Sequence, residues 1–294
     1  MAMRSWLFVP GDSETKLAKT AGTGADVIVI DLEDSVAPEH KGQAREQARN
    51  WLNAHRSQVL DSRIHGCWIR INAIGTPWWR EDLVTVMQGA PEGIVVPKCE
   101  GAEQLQTLAA ELYEVEQRNG IPTNTTSVLA LAGETPASAL SIASFAGVTQ
   151  PRLIGLGWGP EDLAAALGAT RKRDSGGAWT DAFRLVRAQV LLASHARGVL
   201  AIDAIYPEFK DMDALRKAAE AARADGFSGM LAVHPDQVPV INEAFTPSAE
   251  ELAKAQAIID VFAANPGAGV IDFNGRMVDR PHLEQAKRLL QAAA

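Results

Sequence analysis

Short, largely apolar runs alternate along the chain with longer stretches in which apolar residues recur every three or four positions. The runs fall at residues 6–9, 27–30, 68–71, 94–96, 128–131, 153–156, 200–202 and 229–232. A continuous apolar run without polar alternation suits a strand buried on both faces, as in a parallel sheet. The stretches between them read as amphipathic helices. Leu105, Leu108, Leu112 and Val115 form one stripe, and Trp179, Phe183, Val186 and Val190 form another. Each stripe gives a helix one apolar face to lay on the sheet. Eight strands, each followed by a helix, predict an α/β fold of the closed (β/α)8 TIM-barrel type, with a doubly wound open sheet as the main rival.

The pattern changes after residue 264. Asn265-Pro266-Gly267-Ala268-Gly269 interrupts the chain, Val270-Ile271-Asp272-Phe273 reads as a strand, Asn274-Gly275 as a hairpin turn and Arg276-Met277-Val278 as its partner, with a helix from Pro281. Residues 1–264 are therefore expected to form the barrel, and 265–294 a C-terminal extension outside it.

In a TIM barrel the chemistry sits at the C-terminal ends of the strands. Here those ends carry Asp31-Leu32-Glu33-Asp34, Arg70-Ile71-Asn72, Pro97-Lys98-Cys99-Glu100, Gly133-Glu134-Thr135, Gly157-Trp158-Gly159-Pro160-Glu161-Asp162 and His234-Pro235. Each motif alone has an ordinary structural explanation. Asp31 to Asp34 would serve as a turn or helix cap, Glu161-Asp162 as first-turn helix acids favoured by the dipole, and Arg70 as a salt-bridge partner. Their placement on one rim points further. Carboxylates gathered together repel unless a cation joins them. Oxygen donors without clustered Cys or His favour a hard ion such as Mg2+, which keeps coordination positions for water and substrate. A 2-oxo or 2-hydroxy acid fills two such positions.

Composition narrows the partners. At 294 residues, 47% hydrophobic and 22% charged, the chain is long enough for one barrel of about 250 residues and is ordinary for a globular enzyme. A net charge of −8 argues against non-specific nucleic-acid binding. No apolar stretch approaches the ~20 residues needed to span a bilayer, and residues 1–10 read as a first strand rather than a signal peptide. The expected compartment is the cytoplasm. Cys67 and Cys99 are expected to be buried, reduced core thiols, and His40, His55, His65, His195 and His282 to be surface or core filling.

At this point the chain resembles a known family. Arg4-Ser5-Trp6-Leu7-Phe8-Val9-Pro10-Gly11, Ile30-Asp31-Leu32-Glu33-Asp34-Ser35-Val36, Arg70-Ile71-Asn72, Val95-Val96-Pro97-Lys98, Glu134-Thr135, Gly159-Pro160-Glu161-Asp162-Leu163-Ala164-Ala165 and His234-Pro235-Asp236-Gln237 follow the order of motifs in the HpcH/HpaI aldolase and citrate lyase beta-subunit group, and within it the CitE-like acyl-CoA lyases. The resemblance implies Mg2+, with Mn2+ as an alternative, held by Glu134 and Asp162. It implies that Arg70 contacts substrate and the thioester oxygen, that Glu33 and Asp34 line the metal's water network, and that Arg4 and Lys16 lie toward the CoA phosphates. Lys98 and Gly159 join the expected substrate-binding set. It further implies a homotrimer or dimer of trimers in which the C-terminal segment covers a neighbouring subunit's site. Gly275-Arg276-Met277-Val278-Asp279-Arg280-Pro281 matches the context of the acid/base aspartate, so Asp279 is the candidate, although helix N-capping before Pro281 also explains it. Two positions depart from the family pattern: Pro136 follows Thr135, and Ala166 stands where an aspartate is usual.

The implied reaction is carbon–carbon cleavage of a 3-hydroxyacyl-CoA, of citramalyl-CoA or malyl-CoA type, into acetyl-CoA and a 2-oxo acid. Alternatives are a citrate lyase beta subunit acting on a citryl carrier protein, a malyl-CoA thioesterase, and a silent CoA-binding scaffold.

Overall fold

A computed structural model of the chain describes residues 3–62, 66–147 and 149–293. Each apolar run is a strand: β1 (Ser5–Pro10), β2 (Val27–Asp31), β3 (Gly66–Arg70), β4 (Gly93–Val96), β5 (Ser127–Leu131), β6 (Leu153–Gly157), β7 (Leu200–Asp203) and β8 (Gly229–Ala232). Each pairs in parallel with its sequence neighbour, and β1 pairs with β8, so the sheet closes into a barrel. The open-sheet alternative is thereby excluded. A register shift between Val128 and Leu129 marks an irregularity where β5 meets β6.

Closure buries both faces of every strand, which is why the runs show no alternation. Trp6, Val27, Val29, Trp68, Val95, Leu129, Leu131, Ile202 and Leu231 pack as one core cluster. The Trp6 and Trp68 rings meet edge to face at 5.0 Å. On the outer side, Leu105, Leu108, Leu112 and Val115 are the buried stripe of the helix Ala102–Arg118. Full burial of each such side chain stabilises the fold by about 1.5–3 kcal/mol. Phe183, Val186 and Val190 play the same part in the helix Asp181–Arg197. Trp179, expected to head that stripe, precedes the helix: the chain pairs Arg173 with Trp179 in an isolated bridge, and Thr180 is the N-cap.

The N-terminal ends of the strands carry structural ion pairs. Arg4 grips Asp26 through Nε and Nη2 at 2.7 and 2.9 Å. Arg152, at the foot of β6, holds Glu116 with two bonds of 2.6 and 2.7 Å in a fully buried pair. Burial would raise the Glu116 acid, but Arg152 and the amides of Thr126 and Asn124 outweigh it and bring it down to about 2.

Residues 3–242 form one compact unit, and the chain from 243 forms a second. In the second, the helix Ala249–Ala264 begins at a reciprocal Ser248–Glu251 capping box and packs on the helix Arg280–Ala293. The division by packing therefore falls before the break at residue 265. Between these helices β9 (Val270–Phe273) pairs antiparallel with β10 (Arg276–Asp279). Asn274 and Gly275 both have positive φ, 54° and 76°, as a two-residue type I′ hairpin turn requires.

Candidate active site

A cavity of about 610 Å³ opens at the C-terminal ends of the barrel strands. Leu7, Phe8, Leu131, Trp158, Ile205 and Leu231 give it apolar walls, and Asp31, Asp34, Arg70, Glu134 and Asp162 bring charge to it. Lys16, Lys19 and His234 lie on its border.

Arg70 is fixed from three directions. Asp31 and Arg70 are register partners on β2 and β3, so their side chains emerge side by side at the rim. The guanidinium meets Asp31 in two bonds of 2.6 and 2.7 Å, and its Nη1 lies 3.0 Å from Glu33 Oε2. The Phe8 ring packs against it, 4.6 Å from centroid to Cζ. Burial works against the charge on Arg70, but Asp31, Glu33 and Glu134 prevail, so it is more firmly protonated than a free arginine. For Asp31 the same pairing with Arg70 overcomes burial and holds the carboxyl below its usual range.

Beside Arg70 lies a carboxylate cluster. Glu134, three residues beyond β5, is 2% exposed. Its Oε2 accepts the Lys98 backbone N–H at 2.6 Å. Its Oε1 occupies space that a Cβ on residue 159 would fill, so Gly159 is what admits this carboxylate. Thr135 caps the next helix in a box with Ser138, and Pro136 takes the first helical position, where its missing N–H costs nothing. Pro136 thus fits the local fold beside Glu134. Asp162 stands in the first turn of the helix Pro160–Leu167. The neighbouring Glu161 is neutralised by Lys172, leaving Asp162 to face the cluster. Ala166, one helical turn beyond Asp162, is exposed.

Burial pushes the Glu134 acid up to about 8, with Glu33 and Asp162 adding to the rise against Arg70 and the Lys98 amide. Glu33 is raised too, chiefly by burial, despite Arg70 and Lys98. Its Oε2 is buried and accepts no well-aligned hydrogen bond, although Arg70 is within ion-pair distance. The cluster is therefore short of positive charge, and its donors are all oxygen. That chemistry suits a hard divalent cation bound by Glu134 and Asp162. Among the described residues, no three His, Cys, Asp or Glu side chains are grouped to enclose an ion by themselves. Two carboxylates with open positions is the arrangement Mg2+ commonly takes.

The model of the HpcH/HpaI aldolase/citrate lyase family matches residues 4–235, the whole of this barrel and its rim. The chain belongs to that family. A solved structure of CitE from Mycobacterium tuberculosis, in complex with magnesium, acetoacetate and coenzyme A, superposes with a TM-score of 0.79 at 35% identity, covering 99% of this chain and 98% of that one. The (3S)-malyl-CoA thioesterase of Cereibacter sphaeroides is 32% identical over 99% of this chain and 94% of its own length. The mitochondrial citramalyl-CoA lyase of Rattus norvegicus is 31% identical over 99% and 86%.

Most of the expected site residues share one rim. Glu33, Asp34, Arg70, Glu134, Gly159 and Asp162 come together at one rim, and Lys16 borders the same cavity. Arg4 is a correction. It precedes β1, so the length of the strand, about 20 Å for six residues, separates it from the rim, and Asp26 already engages it. Lys98 is a partial correction: its ammonium does not border the cavity but is bound by Glu33, Asp34 and Asp162. Asp279 lies in the second unit, at the end of β10, where its Oδ1 is 2.5 Å from His282 Nδ1.

The sequence leaves three roles unassigned. Asp31 anchors Arg70, which strand register alone reveals. Lys19 joins Lys16 on the border, a pairing foreshadowed by their three-residue spacing. Trp158 forms a wall, its indole N–H fixed on Asp203 Oδ1 at 2.7 Å. Cys67 and Cys99 are buried free thiols, as expected, and burial pushes both up to about 12. His55 stacks on Trp51, His195 bonds the Gly226 carbonyl, and His40 lies 3.8 Å from Asp12; His65 lies outside the described residues. Among the described residues, no helix is long and apolar enough to cross a membrane.

Proposed function

We propose that this chain is a Mg2+-dependent lyase that cleaves the C2–C3 bond of a 3-carboxy-3-hydroxyacyl-CoA, releasing acetyl-CoA and a 2-oxo acid. The observation that carries this reading is the meeting of Glu134, Asp162 and a doubly anchored Arg70 at one cavity. It is supported by the magnesium, oxo-acid and coenzyme A complex of the M. tuberculosis relative and by the citramalyl-CoA lyase relative.

Glu134 and Asp162 would hold the ion, which supplies Lewis-acid polarisation and a template for the carboxylate and hydroxyl oxygens of the acid half. The remaining steps fall to the protein. Asp34, an exposed carboxylate on the cavity wall, would accept the C3 hydroxyl proton. As C3 becomes a carbonyl, the C2–C3 electron pair passes to C2 and the thioester carbonyl. Arg70 would stabilise the negative charge reaching that oxygen; Asp31 and Glu33 hold the guanidinium in place, so little reorganisation is needed. Asp279 would return a proton to C2 and complete acetyl-CoA. In this reading the segment 265–294 covers the cavity of a neighbouring copy in a trimer or a dimer of trimers. Lys16 and Lys19 would meet the CoA phosphates.

The thioesterase relative supports a second outcome at the same site, attack of water on the thioester. Product analysis separates the two. Purified protein with Mg2+ and citramalyl-CoA or malyl-CoA should give acetyl-CoA with pyruvate or glyoxylate, and Asp279→Ala should lose that cleavage while still binding CoA. Free CoA with the intact hydroxy diacid would establish hydrolysis instead, and unchanged cleavage by Asp279→Ala would remove the tail from the chemistry.

A further inference from the structure

Lys98 touches every carboxylate of the cluster beside Arg70. It follows β4 and Pro97 with φ = 49°, in the left-handed region that a non-glycine residue adopts at a cost. The backbone N–H of Lys98 donates to Glu134 Oε2, 2.6 Å away, while its side chain reaches the other acids of the cluster. There the ammonium contacts Glu33 Oε1, Asp34 Oδ2 at 2.9 Å and Asp162 Oδ1 at 3.0 Å. One residue thus binds Glu134 through its backbone and Glu33, Asp34 and Asp162 through its charge. The Lys98 side chain is three-quarters buried, so its attraction to these groups is only partly screened.

We propose that Lys98 is a positioning residue, an internal cation that holds the cluster together in the ion-free protein and releases Asp162 when a divalent ion binds. This inference rests on the reading that Glu134 and Asp162 are the ion's ligands. A positive charge within contact distance of Asp162 opposes a second cation arriving there and makes up part of the neutralisation the ion would otherwise provide. Lys98 therefore weakens metal affinity and stabilises the metal-free site. An ion that leaves no unpaired acid cluster behind can come and go without the rim collapsing or repelling itself apart.

The experiment is a titration of metal-free protein with Mn2+ alone, followed by calorimetry and by the Mn2+ paramagnetic resonance signal, on wild type, Lys98→Met and Lys98→Arg. Lys98→Met is expected to bind Mn2+ at least about tenfold more tightly than wild type and to melt at a lower temperature when ion-free, with the gap narrowing at saturating Mn2+. Lys98→Arg keeps the charge and is expected to bind within about threefold of wild type. Equal or weaker binding by Lys98→Met would overturn the inference. If wild type binds Mn2+ with no dependence on Glu134→Gln or Asp162→Asn, the underlying ligand assignment fails instead. Should Lys98→Met not fold, crystals of wild type grown with Mn2+ decide: the Lys98 ammonium is expected beyond hydrogen-bond distance of Asp162, and an intact contact beside the bound ion would overturn the proposal.

Discussion

Glu134 is the residue on which burial and charge act most strongly in the same direction. Its acid is raised to about 8, first by burial and then by Glu33 and Asp162. In the ion-free protein the folded chain therefore keeps, between the ordinary carboxylate range and pH 8, a proton that the unfolded chain has released. The unfolded state binds fewer protons in that window, so stability contributed at this position falls as pH rises through it and levels off above. Glu134→Gln removes the titration while keeping the shape. In EDTA, its melting temperature relative to wild type should climb from pH 5 to pH 8; a difference independent of pH would contradict the raised acid. The sequence placed Glu134, Asp162 and Arg70 on one rim because strand ends and family motifs coincide there. It could not show which way Lys98 turns, since that depends on a left-handed backbone no motif specifies.

At the scale of elements, the parallel register does what the linear chain hides. Asp31 and Arg70 are 39 positions apart but lie side by side once β2 and β3 pair. All eight strands and the Asn274-Gly275 hairpin were legible because unbroken apolar runs and a two-residue turn carry direct physical signatures. Trp179 looks helical in the sequence because its apolar spacing continues the stripe of the helix that follows, and Arg4 looks like a rim residue because a basic residue beside a family motif does not reveal which end of a strand it occupies. The opposite face of the barrel offers a control for this division of labour. Arg152 ties the foot of β6 to Glu116 on the helix Ala102–Arg118 and to the Thr126 carbonyl. Arg152→Ala leaves Glu116 buried and unpaired, which typically costs about 3–5 kcal/mol. Denaturant unfolding should register that loss, while turnover per folded molecule stays near wild type. A specific loss of turnover without loss of stability would show that the two faces are coupled.

For the whole molecule, a net charge of −8 accompanies a rim whose acids outnumber its bases, with Lys16 and Lys19 set at the border of the cavity. An anionic ligand approaching such a rim needs the local cations more than the overall field, and a divalent ion would offset most of the negative charge of the cluster. Fold and family follow from the barrel pattern and its motifs. The acid half of the substrate does not, because one methyl group changes binding by only about 1–3 kcal/mol and leaves no mark on a motif. The ion is the most direct point of attack. Crystals soaked in Mn2+ with pyruvate and measured near the manganese absorption edge should show one strong anomalous peak between the Glu134 and Asp162 carboxylates, with the oxo acid on its open side toward Arg70. Full occupancy of Mn2+ elsewhere, with no peak between those two carboxylates, would contradict it.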